Sequence, residues 1–418
     1  MTLNRVVVTG IGALTPIGNT APEFWANLLN GVSGSSVITR FDTTKFKTKF
    51  ACELKGFKPE NYFDRKEARK LDPFIQYGAV AADEAIKDAG LNFDELNRDR
   101  IGVIWGSGIG GVRTFIDEVT DYARGDGTPR FNPFFIPKMI MDIAPGYISI
   151  RYGLRGPNFA TVSACASSTN AIIDALNYIR LGAADVMVTG GSEAIINEAG
   201  IGGFNALHAL STRNESPQTA SRPFDLDRDG FVAGEGAGSI ILEELGHALK
   251  RGAPIYAELC GWGMSADAYH ITAPHPEGLG AKLVMRNALQ NANLIAADID
   301  YINVHGTSTQ LGDLSEIRAI TSLFGEEAYH MNISSTKSMT GHLLGAAGVI
   351  EAIASILAVK NNVVPPTINH FTDDPEFDSR LNLTFNHKQE REVRTSMSNT
   401  FGFGGHNTSV IFKKYEAD

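Results

Sequence analysis

Thr161-Val-Ser-Ala-Cys165-Ala-Ser-Ser-Thr-Asn170 joins a short β-prone run to a long run of apolar residues at helical spacing. Ile172, Ile173, Leu176 and Ile179 recur on one face, which predicts a packed helix over residues 166–183 with Cys165 at its N-terminal lip. A thiolate there meets unsatisfied backbone N–H groups and the positive end of the helix dipole, an arrangement that lowers a cysteine pKa from about 8.5. A buried structural thiol fits the same ten residues, because free cysteine is among the most buried residue types. The local sequence leaves both readings open.

Outward from this stretch, short β-branched runs alternate with amphipathic runs, the pattern of an α/β protein with mainly parallel sheets. In the first half, strands are predicted over residues 5–12, 100–108, 184–191 and 237–244, and helices over 22–31 and 72–90. After Lys250-Arg-Gly-Ala-Pro254 the plan starts again. Strands are predicted over 255–263, 301–305, 332–335 and 408–414, with a long helix over 344–360. Ser-Ala-Cys165-Ala-Ser-Ser before one long helix parallels Thr-Gly-His342-Leu-Leu-Gly before another, so the chain reads as an internal duplication: residues 1–250 and 251–418. Residues 109–160 resist assignment. Within them the aromatic, proline-rich run at 128–137 disfavours regular helix and suggests an excursion over the surface or an interface.

The 418 residues carry a net charge of −10, which argues against nonspecific nucleic-acid binding. The three cysteines, Cys52, Cys165 and Cys260, are too scattered for a disulfide framework, and no CxxC knuckle occurs. A reducing cytoplasm is the expected location. Met1-Thr-Leu-Asn-Arg enters a strand without a basic leader or cleavage site, and no run approaches about 18 uninterrupted apolar residues, so no membrane span is expected.

Gly106-Ser-Gly108-Ile-Gly-Gly111 matches GxGxxG after a strand, but it lies outside a first βαβ unit and no acidic strand end follows at dinucleotide-binding distance. Its glycines instead permit close backbone approach, with Ile109 facing a pocket. His305, in Val304-His305-Gly-Thr307-Ser-Thr309, and His342, after Lys337-Ser-Met-Thr-Gly, stand where apolar strands give way to glycine and hydroxyl residues. Loops at strand ends are where catalytic groups sit. No HExxH, paired-His spacing or carboxylate cluster accompanies them, so a metal site is not expected. The other eight histidines read as structural. Phe401-Gly402-Phe403-Gly404-Gly405 before the last strand serves either as a plain turn or as a source of N–H groups aimed at an oxyanion.

Together these stretches resemble the beta-ketoacyl-acyl-carrier-protein synthases, and most closely the elongating synthase II branch. The resemblance runs from Val6-Val-Val-Thr-Gly-Ile-Gly12 through Tyr152-Gly-Leu-Arg-Gly-Pro157, Ala164-Cys165, Arg228-Asp-Gly-Phe231, His305-Gly-Thr, Lys337 to His342 and Gly402-Phe-Gly-Gly405, nearly the whole chain. It implies a thiolase-like fold in which duplicated βαβ halves form a five-layered αβαβα core. It implies decarboxylative condensation of an acyl group with malonyl on acyl carrier protein, in fatty acid elongation, without metal or dissociable cofactor.

By that resemblance Cys165 takes the acyl group, and His305 and His342 stabilise the enolate. Lys337 gives electrostatic support, and the Cys165 and Phe403 N–H groups form the oxyanion hole. Ile109, Phe401, Gly402 and Gly404 line the acyl site, and Thr307 and Thr309 contact the phosphopantetheine arm. Arg65, Lys66, Arg69, Lys70, Arg130 and Arg213 correspond to the surface that docks the acidic carrier protein, and Phe134 and Phe135 lie in the region that closes a homodimer. His208 and His406 depart from the arginine and threonine common at their positions. A polyketide or aryl-polyene ketosynthase and a non-catalytic chain-length factor are the alternatives; the second lacks the active cysteine that this chain has. Thiolases need a second cysteine near the C-terminal glycine loop, and none follows Cys260.

Overall fold

Residues 3–416 are described by a computed structural model; Met1 and Thr2, where the reading of the N-terminal segment began, lie outside it. The first half supplies β1 (Val6–Leu14), β2 (Ile101–Gly106), β3 (Asn158–Thr161), β4 (Val186–Glu193) and β5 (Gly236–Glu244), side by side as β3-β2-β4-β5-β1. The second supplies β6 (Ala257–Ala266), β7 (Tyr301–Asn303), β8 (Asn332–Ser334), β9 (Thr395–Gly402) and β10 (His406–Lys413), as β8-β7-β9-β10-β6. Counted within each half, both orders are third, second, fourth, fifth, first. The duplication that the sequence hints at is thus explicit in topology.

The two five-strand units meet where β1 and β6 pair at Val7 with Glu258 and Val8 with Ala257. Pairing is mixed rather than mainly parallel. In each half the third, second and fourth strands run parallel, while the fifth is antiparallel to both its neighbours. In the second half the reason is local: the turn at residues 403–405 is too short for a parallel crossover, so β9 returns directly as β10.

Six helices build the layers. α1 (Pro73–Asp88) and α2 (Ile143–Tyr152) cover the outer face of the first unit, and α4 (Leu279–Ala292) and α5 (Gln310–Phe324) that of the second. Between the units lie α3 (Ser167–Arg180) and α6 (Ala347–Asn361), so the order is α, β, α, β, α. The helix predicted on the Cys165 segment is α3, preceded by a 3-10 turn, Ala164–Ala166. α6 is preceded by the matching turn Leu344–Ala346. Both turns start on a non-glycine residue in the left-handed region, Ala164 at φ 51° and Leu344 at φ 48°. Each costs roughly 1–2 kcal/mol of backbone strain. This register equates Cys165 with Gly345.

Ile172, Leu176 and Ile179 of α3 and Ile350, Ile353 and Ile356 of α6 join one buried cluster with both sheets. The helices pass closely because residue 348 is glycine: a Cβ there would lie 2.0 Å from Thr169 Oγ1. Leu344–Asn361 has the length and composition of a membrane span, yet 89% of that window is enclosed in protein. Core packing explains its apolarity. The run at 128–137 includes a short helix, Phe135–Met139, contrary to expectation. Pro137 falls in its first turn, where the missing N–H has no intrahelical partner to lose.

Ile353→Ala should lower the free energy of unfolding by about 2–5 kcal/mol in a denaturant titration, the range for deleting a buried isoleucine side chain. An unchanged midpoint would contradict its place in the central layer.

Candidate active site

The strained turn at Ala164 lifts Cys165 away from the helix ladder at the mouth of α3. The second half of the chain supplies most of its surroundings. His342 Nε2 stands 3.1 Å from Cys165 Sγ. The ring of His305 lies 5.2 Å from that of His342, centroid to centroid and edge to face. Phe231 packs edge to face on the far side of His342 at 5.3 Å, fixing the ring that holds the sulfur.

Both imidazoles reach the site from segments held by the backbone. His342 N–H donates to Val232 O at 2.7 Å, and His342 O accepts from Gly234 N–H at 2.9 Å. His305 and Gly306 donate their N–H groups to the two oxygens of Glu316 at 2.9 and 2.8 Å. Among the described residues Nδ1 of each histidine is buried without a partner. Nε2 is therefore the nitrogen left for the reacting groups.

Beneath the rings, Lys337 and Glu351 form a buried ion pair, each side chain at most 3% exposed. Burial, then the Lys337 charge, holds His305 and His342 well below the ordinary histidine range, so both are neutral at neutral pH. The Cys165 thiol is pushed up to about 12, first by burial; Lys337 and the Phe403 N–H pull it down. This corrects the expectation of a lowered thiol. The helix end and the ammonium act on a group already removed from water, and desolvation is the larger effect. The resting pair is a neutral thiol beside a neutral imidazole.

Gly402 ends β9 against the same turn. A Cβ at Gly402 would lie 2.6 Å from Ser163 O and 3.2 Å from Cys165 N, so only glycine lets the two N–H donors converge on one point. The cavity above Cys165 measures about 720 Å³ and is lined by Ile109, His305, Thr307, Thr309, His342, Phe401, Gly402 and Phe403. Thr307 and Thr309 hydroxyls lie 3.1 Å apart on its wall. Lys337 and Gly404 do not line it. Lys337 acts from below through its field, and Gly404, at φ 89°, shapes the turn.

The chain matches the family model for the beta-ketoacyl synthase N-terminal domain over residues 3–248 and that for the C-terminal domain over residues 256–371. This chain belongs to the beta-ketoacyl synthase family. The 3-oxoacyl-[acyl-carrier-protein] synthase 2 of Staphylococcus aureus (strain COL) is 52% identical over 414 residues, 99% of each chain. A beta-ketoacyl synthase from Burkholderia phymatum STM815 superposes with a TM-score of 0.91 at 36% identity, covering 99% of this chain and 100% of that one. A ketosynthase solved in complex with a type II PKS acyl-carrier protein superposes at 0.87 with 33% identity and the same coverage.

The predicted surface cations of this synthase lie outside the cavity. Arg65 and Lys66 stand on the short helix Arg65–Ala68, Arg69 and Lys70 follow it, and all four are exposed. Lys70 Nζ sits 5.4 Å over the Phe134 ring, and Arg130 lies 3.5 Å from Asp126. Arg213 is half-buried and donates to Asp227 O at 2.8 Å. His208 lines the cavity, whereas His247 and His370 are held by Glu243 and Asp373, at 2.6 and 2.8 Å. No cluster of three or more His, Cys, Asp or Glu able to hold a metal occurs among the described residues. Three buried carboxylates that hold the surroundings of the site escaped the sequence reading: Glu193, Glu316 and Glu351. Glu351 carried a signal, a lone acid inside the apolar run at 347–359.

Gly402→Ala should push the Phe403 N–H off the oxyanion position and slow acyl transfer to Cys165 by roughly 10²–10³-fold, the effect of losing one such donor. Transfer from an acyl thioester followed by protein mass measures this; wild-type rates would contradict the assigned oxyanion hole.

Proposed function

We propose that this chain lengthens an acyl chain by two carbons: acyl carrier protein delivers the acyl group to Cys165, and malonyl carrier protein supplies the carbanion that captures it. The observation that carries this reading is the convergence of Cys165 Sγ, His342 Nε2 at 3.1 Å and the Phe403 N–H in one cavity. The synthase 2 relative is 52% identical, against 33% for the polyketide ketosynthase, and this favours fatty acid elongation over the polyketide alternative.

In the first half-reaction Sγ attacks the thioester carbonyl, its proton passes to His342 Nε2, and the oxyanion is held by the N–H groups of Cys165 and Phe403. The tetrahedral intermediate collapses to acyl-Cys165, and the carrier thiol leaves with the proton. In the second, the malonyl carbon–carbon bond breaks, CO2 departs with no electrons from that bond, and the pair forms an enolate. Neutral His305 donates from Nε2–H to the enolate oxygen, and His342 does so once its proton has moved from Nδ1 to Nε2. The enolate carbon attacks acyl-Cys165, the intermediate collapses to the 3-oxoacyl carrier protein, and the expelled Cys165 sulfur takes up one proton from solvent, the proton that the overall condensation consumes. A neutral imidazole accepts the thiol proton in its Nδ1–H tautomer and donates to the enolate in its Nε2–H tautomer, and its resting state is uncharged in both, which is the service of the depressed histidines.

Arg65, Lys66, Arg69 and Lys70 form the docking surface for the acidic carrier protein, with Arg130 and Arg213 as further contacts; the complex of the polyketide ketosynthase with its carrier supports a partner of this kind. The active form is a homodimer in the cytoplasm. Among the described residues β3 ends its sheet with an unpaired edge, and Ile150 (82% exposed) and Val162 (59%) flank it, a surface that a second copy would cover.

Mixing the protein with acyl-loaded carrier and malonyl carrier should release CO2 and yield a product two carbons longer, with activity extending to long chains. Cys165→Ala should abolish condensation. Condensation by Cys165→Ala at the wild-type rate would refute the mechanism, and a sharp cutoff at medium chains would refute the synthase II branch.

A further inference from the structure

Glu193, the last residue of β4, is a buried carboxylate whose oxygens face two loops from opposite halves of the fold. Oε2 accepts from Gly108 N–H at 2.8 Å and from Gly345 N–H at 3.0 Å. Oε1 accepts from Ile109 N–H at 3.2 Å and from the Ser107 hydroxyl at 3.3 Å, and Ser107 Oγ in turn accepts from Gly110 N–H at 3.1 Å. None of its partners among the described residues is a cation. Burial pushes the carboxyl up to about 7 while these four donors oppose the shift.

The loops are shaped to admit the carboxylate. A Cβ on Gly108 would lie 2.8 Å from Glu193 Oε2, and one on Gly345 would lie 2.6 Å from it and 2.2 Å from Gly108 N. Each loop carries one apolar side chain into the cavity that holds Cys165: Ile109 from the first half and Leu344 from the second. His342 does not depend on this contact, because its backbone is held by Val232 and Gly234.

We propose that Glu193 is a positioning residue that sets acyl-chain specificity: by binding the Ile109 loop and the Leu344 turn to one carboxylate, it fixes the distance between the two apolar walls beside Cys165. This rests on the acyl-transfer reading given above. Glu193 touches no reacting atom. A long chain must fit between the walls along much of its length, whereas a short chain barely reaches them.

The test measures kcat/KM for transfer from short, medium and long acyl carrier proteins to Cys165, in wild type, Glu193→Gln, Ser107→Ala, Ile109→Ala and the Glu193→Gln/Ile109→Ala double variant. Glutamine keeps the size of the side chain but replaces one acceptor with a donor, leaving N–H groups of the loops unmatched. The expected result is at least a tenfold fall in the long-to-short ratio for Glu193→Gln, a smaller fall of the same sign for Ser107→Ala, and an effect of Ile109→Ala on the ratio that shrinks in the Glu193→Gln background. An equal loss at every chain length, or fully additive effects of Glu193→Gln and Ile109→Ala, would overturn the proposal. If Glu193→Gln fails to fold, an unchanged ratio in Ser107→Ala overturns it. Wild-type protein that takes no acyl group from any carrier would instead refute the acyl-transfer reading itself.

Discussion

The ion pair between Lys337 and Glu351 is the interaction on which the chemistry depends. It is enclosed between the sheets, on the segment that leads to His342 and on the central helix α6. A buried ammonium of this kind survives only with a carboxylate partner. Once installed, it is a fixed positive charge in a poorly screened place. Adding to burial, it depresses the imidazoles of His305 and His342, and it favours the thiolate of Cys165 against the burial that opposes it. Three separate groups are thus poised by one charge that none of them touches through a hydrogen bond.

Duplication explains how the charge comes to lie there. Two units of the same strand order place α3 and α6 back to back, with a strained 3-10 turn at the start of each. One turn presents Cys165, the proposed nucleophile. At the equivalent place the other has Gly345, whose N–H is spent on Glu193. The copies have divided the labour: the first keeps the thiol, and the second brings the histidines and the lysine to it. Buried carboxylates do the joining, with Glu316 shaping the His305 loop and Glu193 holding the two halves together below the cavity.

The grouping of Cys165, His305 and His342 was legible in the sequence because each stands at an abrupt change from apolar to glycine and hydroxyl residues. The long strands β1, β4 and β5 and the helices α1, α3 and α6 showed for the same reason, being apolar over many consecutive positions. β3 was missed because its four residues are an edge strand with little burial to impose a pattern. β9 was missed because Thr395–Gly402 is rich in serine, threonine and asparagine, although most of it is buried. The sheet direction and the thiol pKa were misread from local features, since each is decided by groups distant in sequence. No linear spacing announces that Glu193 faces Gly345.

Neutrality of both catalytic histidines under Lys337 is the central claim. Nitrogen NMR of the imidazoles of His305 and His342, followed from pH 8 to pH 5, tests it most directly. A pKa lowered by burial and by a neighbouring cation keeps an imidazole unprotonated as pH falls through the ordinary histidine range near 6.5. Both rings are predicted to stay neutral as the pH falls through 6.5 in the wild-type protein. Protonation of either ring with a midpoint at or above 6.5 would contradict the account.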